Sequence, residues 1–140
     1  MPNRYATFDG GMTVFELWTG RVTHEELVAH AREQFGDSRI RPGAIVLADA
    51  RSATFATDPA QVQEFTDVYG LAENINRTSK CAVVVAYDVW ERAQLFAEQA
   101  KKYGVAVIAF NSLDVACTWL AIDLRRAEEC LQRLAEEQPG

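Results

Sequence analysis

Asp49 and Asp88 are the side chains of this chain best suited by type and position to do chemistry. Each stands at the end of an apolar run, residues 44–48 and 81–87, so both carboxylates are expected at one edge of a sheet. Such a pair can exchange protons with a substrate or hold a cation. The simpler reading is that Asp88 caps a helix and Asp49 pairs with Arg51 or another loop group. The two histidines, His24 and His30, offer less. A zinc-binding HExxH helix would need a histidine where Val28 stands, and His24 and His30 lie about 120° apart around a helix, so they cannot share one metal. Both read as solvent-exposed helix residues. Cys81, Cys117 and Cys130 are far apart, occupy apolar positions and form no CxxC spacing, which makes them small buried hydrophobes. No serine is set beside a histidine in a recognisable motif. No glycine-rich phosphate loop occurs, and the expected helix starts already carry Asp58, Asp88 and Asp114, which take up the positive ends that a phosphate would use. No cofactor, metal or catalytic set is therefore expected.

Residues that could recognise a ligand are easier to name. The segment between Asp49 and Asp58 holds the donors Arg51, Ser52, Thr54 and Thr57 beside Phe55. It contains none of the Gly, Asn or Asp that ordinary loops favour between Ala50 and Thr57. Phe55 either plugs the core or joins Asp49, Arg51, Tyr87, Asp88, Trp90 and Asn111 in a contact surface at the carboxyl ends of the strands, the usual ligand position in an open α/β sheet. Trp18, Trp90 and Trp119 lie near element ends and read first as core or rim packing.

The elements that must position these groups are well punctuated. Residues 4–8 and 12–19 flank Asp9-Gly10-Gly11, a hairpin signal, and Gly20 is expected to break the second strand. Glu16 interrupts one face of that strand. Thr23 and Glu26 form a capping box for a helix buried through Leu27, Val28, Ala31 and Phe35, with Gly36 as its stop. Residues 44–48 make a third strand ending at Asp49, and residues 51–57 are expected as a loop. Asp58 caps a second helix with Pro59 at its first turn and Val62, Phe65, Val68, Tyr69 and Ala72 inward. The apolar run at 81–87, a third helix capped by Asp88 and ended by Gly104, and a second apolar run at 105–110 read as parallel strands joined through a helix. Asn111 or Ser112 caps a fourth helix, which continues, divided, into an amphipathic C-terminal helix over residues 124–137. There Leu124, Ala127, Leu131 and Leu134 form one face. That stripe can close on its own sheet or pair with a second chain, and because the other helices suffice to cover the sheet, a homodimer is expected.

The chain has 140 residues, 49% of them hydrophobic and 24% charged, and a net charge of −6. This predicts one folded domain over residues 1–140. The acidic balance argues against nucleic acid and anionic membrane surfaces as partners. No run approaches the ~18 apolar residues of a membrane span, and no apolar signal segment follows Arg4, so the expected location is cytoplasmic.

Residues 44–51 (AIVLADAR), Cys81 to Val85 (CAVVV), Trp90 within DVWER and residues 109–120 (AFNSLDVACTWL) together resemble the SpoIIAA-like proteins, also called STAS/SEC14-like domains, over roughly residues 5–122. The resemblance implies an α/β fold, a mixed β-sheet with a parallel core and flanking helices in the order ββαβαβαβα. The family is largely uncharacterised and implies no reaction. In sporulation anti-sigma antagonists of the wider fold, a serine opening the helix after the third strand is phosphorylated. Here Thr57 and Asp58 occupy that turn, the Asp-Ser-Ser-Gly pattern is absent, and Ser52 comes too early, so the phospho-switch is not carried over. The expectation is a non-enzymatic binding or regulatory module, acting through a protein partner or a small apolar ligand. The alternative is a small enzyme using Asp49 and Asp88.

Overall fold

A computed structural model of the protein describes residues 3–56, 58, 60–61, 79–101 and 106–137. Two strands, β1 (Asn3–Phe8) and β2 (Thr13–Thr23), pair antiparallel around the turn at Asp9–Gly11. The turn needs its glycines. Asp9, Gly10 and Gly11 all have positive φ, and a Cβ on Gly11 would run into the Arg39 carbonyl. Thr13 Oγ1 donates to Asp9 Oδ2 at 2.7 Å and closes the turn from the other side.

Three further strands, β3 (Ile45–Ala56), β4 (Lys80–Val84) and β5 (Ala106–Phe110), extend the sheet in the order β1-β2-β3-β4-β5. β2 through β5 run parallel. The expected mixed sheet with a parallel core is the observed one, with β4 and β5, which fall in the two apolar runs, as parallel neighbours.

Two strands outrun their expected lengths. Gly20 does not end β2. It takes φ 72 within the strand, where its lack of a Cβ permits the bend. β3 does not stop at Asp49 but continues to Ala56, so residues 51–56 are strand and not loop. Its pairing with β2 slips between Leu17↔Asp49 and Thr19↔Ser52. Ala50 and Arg51 thus oppose the single residue Trp18, which is a β-bulge. Beyond the bulge exposed Ser52 and Thr54 alternate with buried Ala53 and half-buried Phe55, the period-2 pattern of a strand with one covered face.

Four helices among the described residues follow from local signals. Helix α1 (His24–Phe35) has the expected capping box, with Glu26 N–H donating to Thr23 Oγ1 at 3.2 Å and Thr23 N–H to Glu26 Oε1 at 2.9 Å. Helix α2 (Trp90–Ala100) starts later than expected. A short 3-10 turn, Tyr87–Val89, comes first, Val89 is the N-cap without a side-chain bond, and Asp88 is exposed. Asp88 therefore does not cap the helix. Helix α3 (Leu113–Leu120) is capped by Ser112, and helix α4 (Leu124–Glu136) by Asp123. Ala121, in the left-handed region at φ 58, divides them. The helix expected after Asp58 is described only at its start, where Asp58 and Gln61 exchange hydrogen bonds of 2.8 and 3.0 Å. Its inward residues 62–72, Thr57, Pro59 and Gly104 lie outside the described residues.

The sheet is covered on both faces. On one, α1 and α2 lie over Val14, Val46, Cys81 and Val107, with Trp18, Ala48 and Val85 further along. On the other, α3 and α4 bury Phe15, Leu17, Leu47, Ala82 and Val84. The C-terminal stripe is spent here: Ala127, Leu131 and Leu134 are buried against this chain's own sheet. A homodimer through that stripe is thus left without its apolar face, because the fold-back use of the stripe has won. Among the described residues no helix is long and apolar enough to cross a membrane.

Candidate functional site

Glu16 is the fourth residue of β2, and strand alternation aims it at the α1/α2 face between Val14 and Trp18. A carboxylate in that position is costly unless it is hydrogen-bonded. Helix α1 supplies the partners. His30 and Gln34, one turn apart on the same helix face, both reach it. His30 Nε2 lies 3.0 Å from Glu16 Oε1, Gln34 Nε2 donates to the same oxygen, and Trp18 Nε1 donates to Oε2 at 3.1 Å. All four residues are buried, Glu16 at 5% and His30 at 8% exposure. Burial pushes the Glu16 carboxyl pKa up, but the charge and hydrogen bond of His30 and the donors of Gln34 and Trp18 outweigh it, so the group sits below the usual carboxylate range.

His30 is itself clamped. The Trp18 and Tyr5 rings meet it edge-on, with centroids at 4.8 and 5.6 Å. Tyr5 Oη in turn donates to Asp37 Oδ2 at 2.8 Å. Burial, and then the Asp37 hydrogen bond and charge, raise the Tyr5 pKa, while Arg39 beside Asp37 holds that carboxyl well down. The expectation of two solvent-exposed histidines fails for His30, because the residue faces the sheet and not solvent.

The cluster borders a cavity of about 110 Å³ between the sheet and helices α1 and α2. Among the described residues its walls are apolar: Trp18, Val46, Ala48, Val83, Phe55 and Phe96 among them. Glu16, His30, Gln34 and Arg92 are its polar members. Cys81 also lines it, but burial first and the Glu16 charge second raise its pKa strongly, so it is a thiol and a poor nucleophile. Cys117 and Cys130 are buried elsewhere, in the core under α3 and α4. Among the described residues no three His, Cys, Asp or Glu side chains are grouped to hold a metal ion.

The residues expected at the site are divided between the two faces of the sheet. Phe55 lines the cavity, its ring 6.0 Å from that of Trp18. Asp49 points to the opposite face, where Arg51 holds it bidentately at 2.9 Å on each oxygen. The two border an open groove with Leu113, Asp114 and Glu128. Tyr87 is 81% exposed and Asp88 is exposed beside it, so the pocket expected from Trp90, Tyr87 and Phe55 does not form as such. Trp90 instead packs half-buried against the Val85 and Val89 cluster. Asn111 Nδ2 donates to the Val85 carbonyl at 3.3 Å and braces a strand end. Asp49 and Asp88 share neither the cavity nor the groove.

Sequence reasoning missed His30 and Gln34. The signal was available: both fall inside the stripe Leu27, Ala31, Phe35, opposite a strand whose covered face Glu16 interrupts.

No protein-family model matches the chain, and no curated protein matches it. Among solved structures it is similar to an uncharacterized protein of the DUF3478 family with a SpoIIAA-like fold from Shewanella loihica PV-4. The TM-score is 0.53 at 15% sequence identity, over 84% of this chain and 93% of that one. A likeness at that identity is one of architecture, and it agrees with the mixed five-stranded sheet and its helices: the chain has a SpoIIAA-like fold.

Proposed function

We propose that the protein is a non-enzymatic binding module, and that its ligand is a small apolar molecule held in the cavity under α1 and α2. The observation that carries this reading is the cavity itself. A volume of about 110 Å³ with mostly apolar walls is of the size that accepts a single ring, since an engineered apolar cavity of about 150 Å³ takes up benzene. Its carboxylate is already satisfied, with Glu16 engaged by three donors, and its thiol is protonated. Such groups orient a guest more readily than they attack one. The enzyme reading has less behind it. Asp49 is paired with Arg51 on the far face and Asp88 is exposed, so the two carboxylates do not converge on one volume.

Toluene is a suitable probe. It is expected to shift the NMR signals of Trp18 and Phe55 and to raise the melting temperature, and Ala48→Leu, which fills the cavity, is expected to abolish both effects. Toluene binding that survives unchanged in Ala48→Leu would place the apolar site elsewhere.

A further inference from the structure

We infer that the ligand's polar group is a carboxylate and that Arg92 holds it, so that the natural guest is a small monocarboxylate with a ring or branched aliphatic body. This rests on reading the cavity as the binding site, and it follows from how unequally the charged groups lining that cavity are satisfied. Val46 and Cys81 lie toward the amino ends of the parallel strands, Glu16 is level with Ala48 and Val83 between them, and Phe55 and Val85 lie toward the carboxyl ends, with Arg92 bonded to the Phe55 carbonyl. Midway along the cavity the Glu16 carboxylate accepts from His30, Gln34 and Trp18. A carboxylate has about four acceptor sites, so little remains for a ligand donor, and its charge repels a second anion. The part of the guest that lies there is apolar.

The carboxyl end is the reverse. Arg92 is the one exposed residue among the described lining residues. Its guanidinium donates to the Phe55 carbonyl at the end of β3, and among the described residues no carboxylate is paired with it. Glu91 is its neighbour in sequence but projects about 100° away around α2. A guanidinium has five N–H donors in a planar fork, and a carboxylate fits that fork bidentately where a hydroxyl or an amine does not. The cavity as a whole, about 110 Å³, accommodates a body of about six carbons.

Benzoate, benzyl alcohol and benzylamine share the ring and differ in the head group. Titrated into the full-length protein by calorimetry, benzoate is expected to bind about tenfold or more tightly than benzyl alcohol, the margin of a charged hydrogen-bonded pair. Arg92→Gln should bring benzoate down to the level of the alcohol and leave the alcohol unchanged. Arg92→Lys, which keeps the charge and loses the fork, should retain part of the preference. Circular dichroism checks that both variants are folded. Benzyl alcohol or benzylamine binding as tightly as benzoate, or benzoate binding unaffected in Arg92→Gln, overturns the carboxylate while toluene binding still upholds the cavity. If neither toluene nor any of the three binds, or if all bind Ala48→Leu equally well, the cavity reading falls and this inference falls with it.

Discussion

Removing His30 leaves Glu16 buried at 5% exposure without the ring nitrogen that meets its Oε1 at 3.0 Å. Breaking a buried pair from one side costs about 3 kcal/mol or more, whereas replacing both partners by apolar groups is often nearly neutral. His30→Ala is therefore expected to lower the urea midpoint strongly, and Glu16→Leu with His30→Leu to recover most of that loss. A double variant no more stable than the single one would mean that the pair itself holds the fold together. Titration gives a second handle. Glu16 and Asp37 sit below their ordinary values of 4.5 and 3.8 in the folded chain, so the unfolded chain takes up their protons first. Their contribution is whole above about pH 4.5 and is lost as the pH falls through the lower folded values. Tyr5 is raised above its ordinary value of 10.0. Its contribution is whole below about pH 10 and is lost as the pH rises beyond it. Unfolding free energy measured against pH should show both limbs. Glu16→Gln should flatten the acid one and Tyr5→Phe the alkaline one. At this scale the sequence displayed Glu16 as an anomaly in a covered strand face, but not its partners. His30 and Gln34 are polar residues that a helix alone would turn to solvent, and only the helix's docking angle on the sheet decides otherwise. Asp49 and Arg51 were legible as a pair because they are two residues apart on one strand. Which face they take depends on the register of the whole sheet.

The caps and turns were the most legible features of the elements. Thr23 with Glu26 and Ser112 before Leu113 are local signals whose hydrogen bonds span three residues, and the structure makes each as expected. Strand lengths were less so. Residues 51–56 carry no charge pattern to extend the apolar run before them, and their alternation is visible only once Ala53 and Phe55 are known to face the same way. The start of α2 was displaced because the turn at Tyr87–Val89 satisfies the chain where a side-chain cap was expected. The break between α3 and α4 offers a direct test. Ala121 takes φ 58, a conformation that costs a residue with a Cβ about 1 kcal/mol or more and glycine almost nothing. Glycine gives back part of that gain through its freer unfolded chain. Ala121→Gly is expected to stabilise the protein by about 0.5 kcal/mol, read as an increase in the urea midpoint at constant slope. A decrease would show that the left-handed turn is not where the two helices part.

The hairpin signal followed by apolar runs separated by capped helices made the architecture readable from the sequence, whereas the fate of the C-terminal stripe was not. Leu131 and Leu134 look the same on paper whether they meet a second chain or their own sheet, and the choice rests on whether α3 leaves part of that face open. It does, over Phe15 and Leu17, and α4 fills the gap, with Arg126 reaching Asp9 at 3.0 Å across the Phe8 ring. Deleting residues 124–140 should therefore abolish cooperative thermal unfolding. A truncated chain that stays folded, while only its mass in light scattering changes, would restore the dimer. The bulge at Ala50 and Arg51 has one more consequence. Among the described residues β4 ends opposite Asp49, and the β2–β3 ribbon runs on past it to Ala56. Strand flanks that outrun their neighbours are where chains add to one another and grow into fibres. A flank that is kinked at its root, that carries the Arg51 charge and that sets Ser52 and Thr54 in water is a poor template for such growth. The irregularity that carries Phe55 over the cavity thus also protects the chain against self-templating.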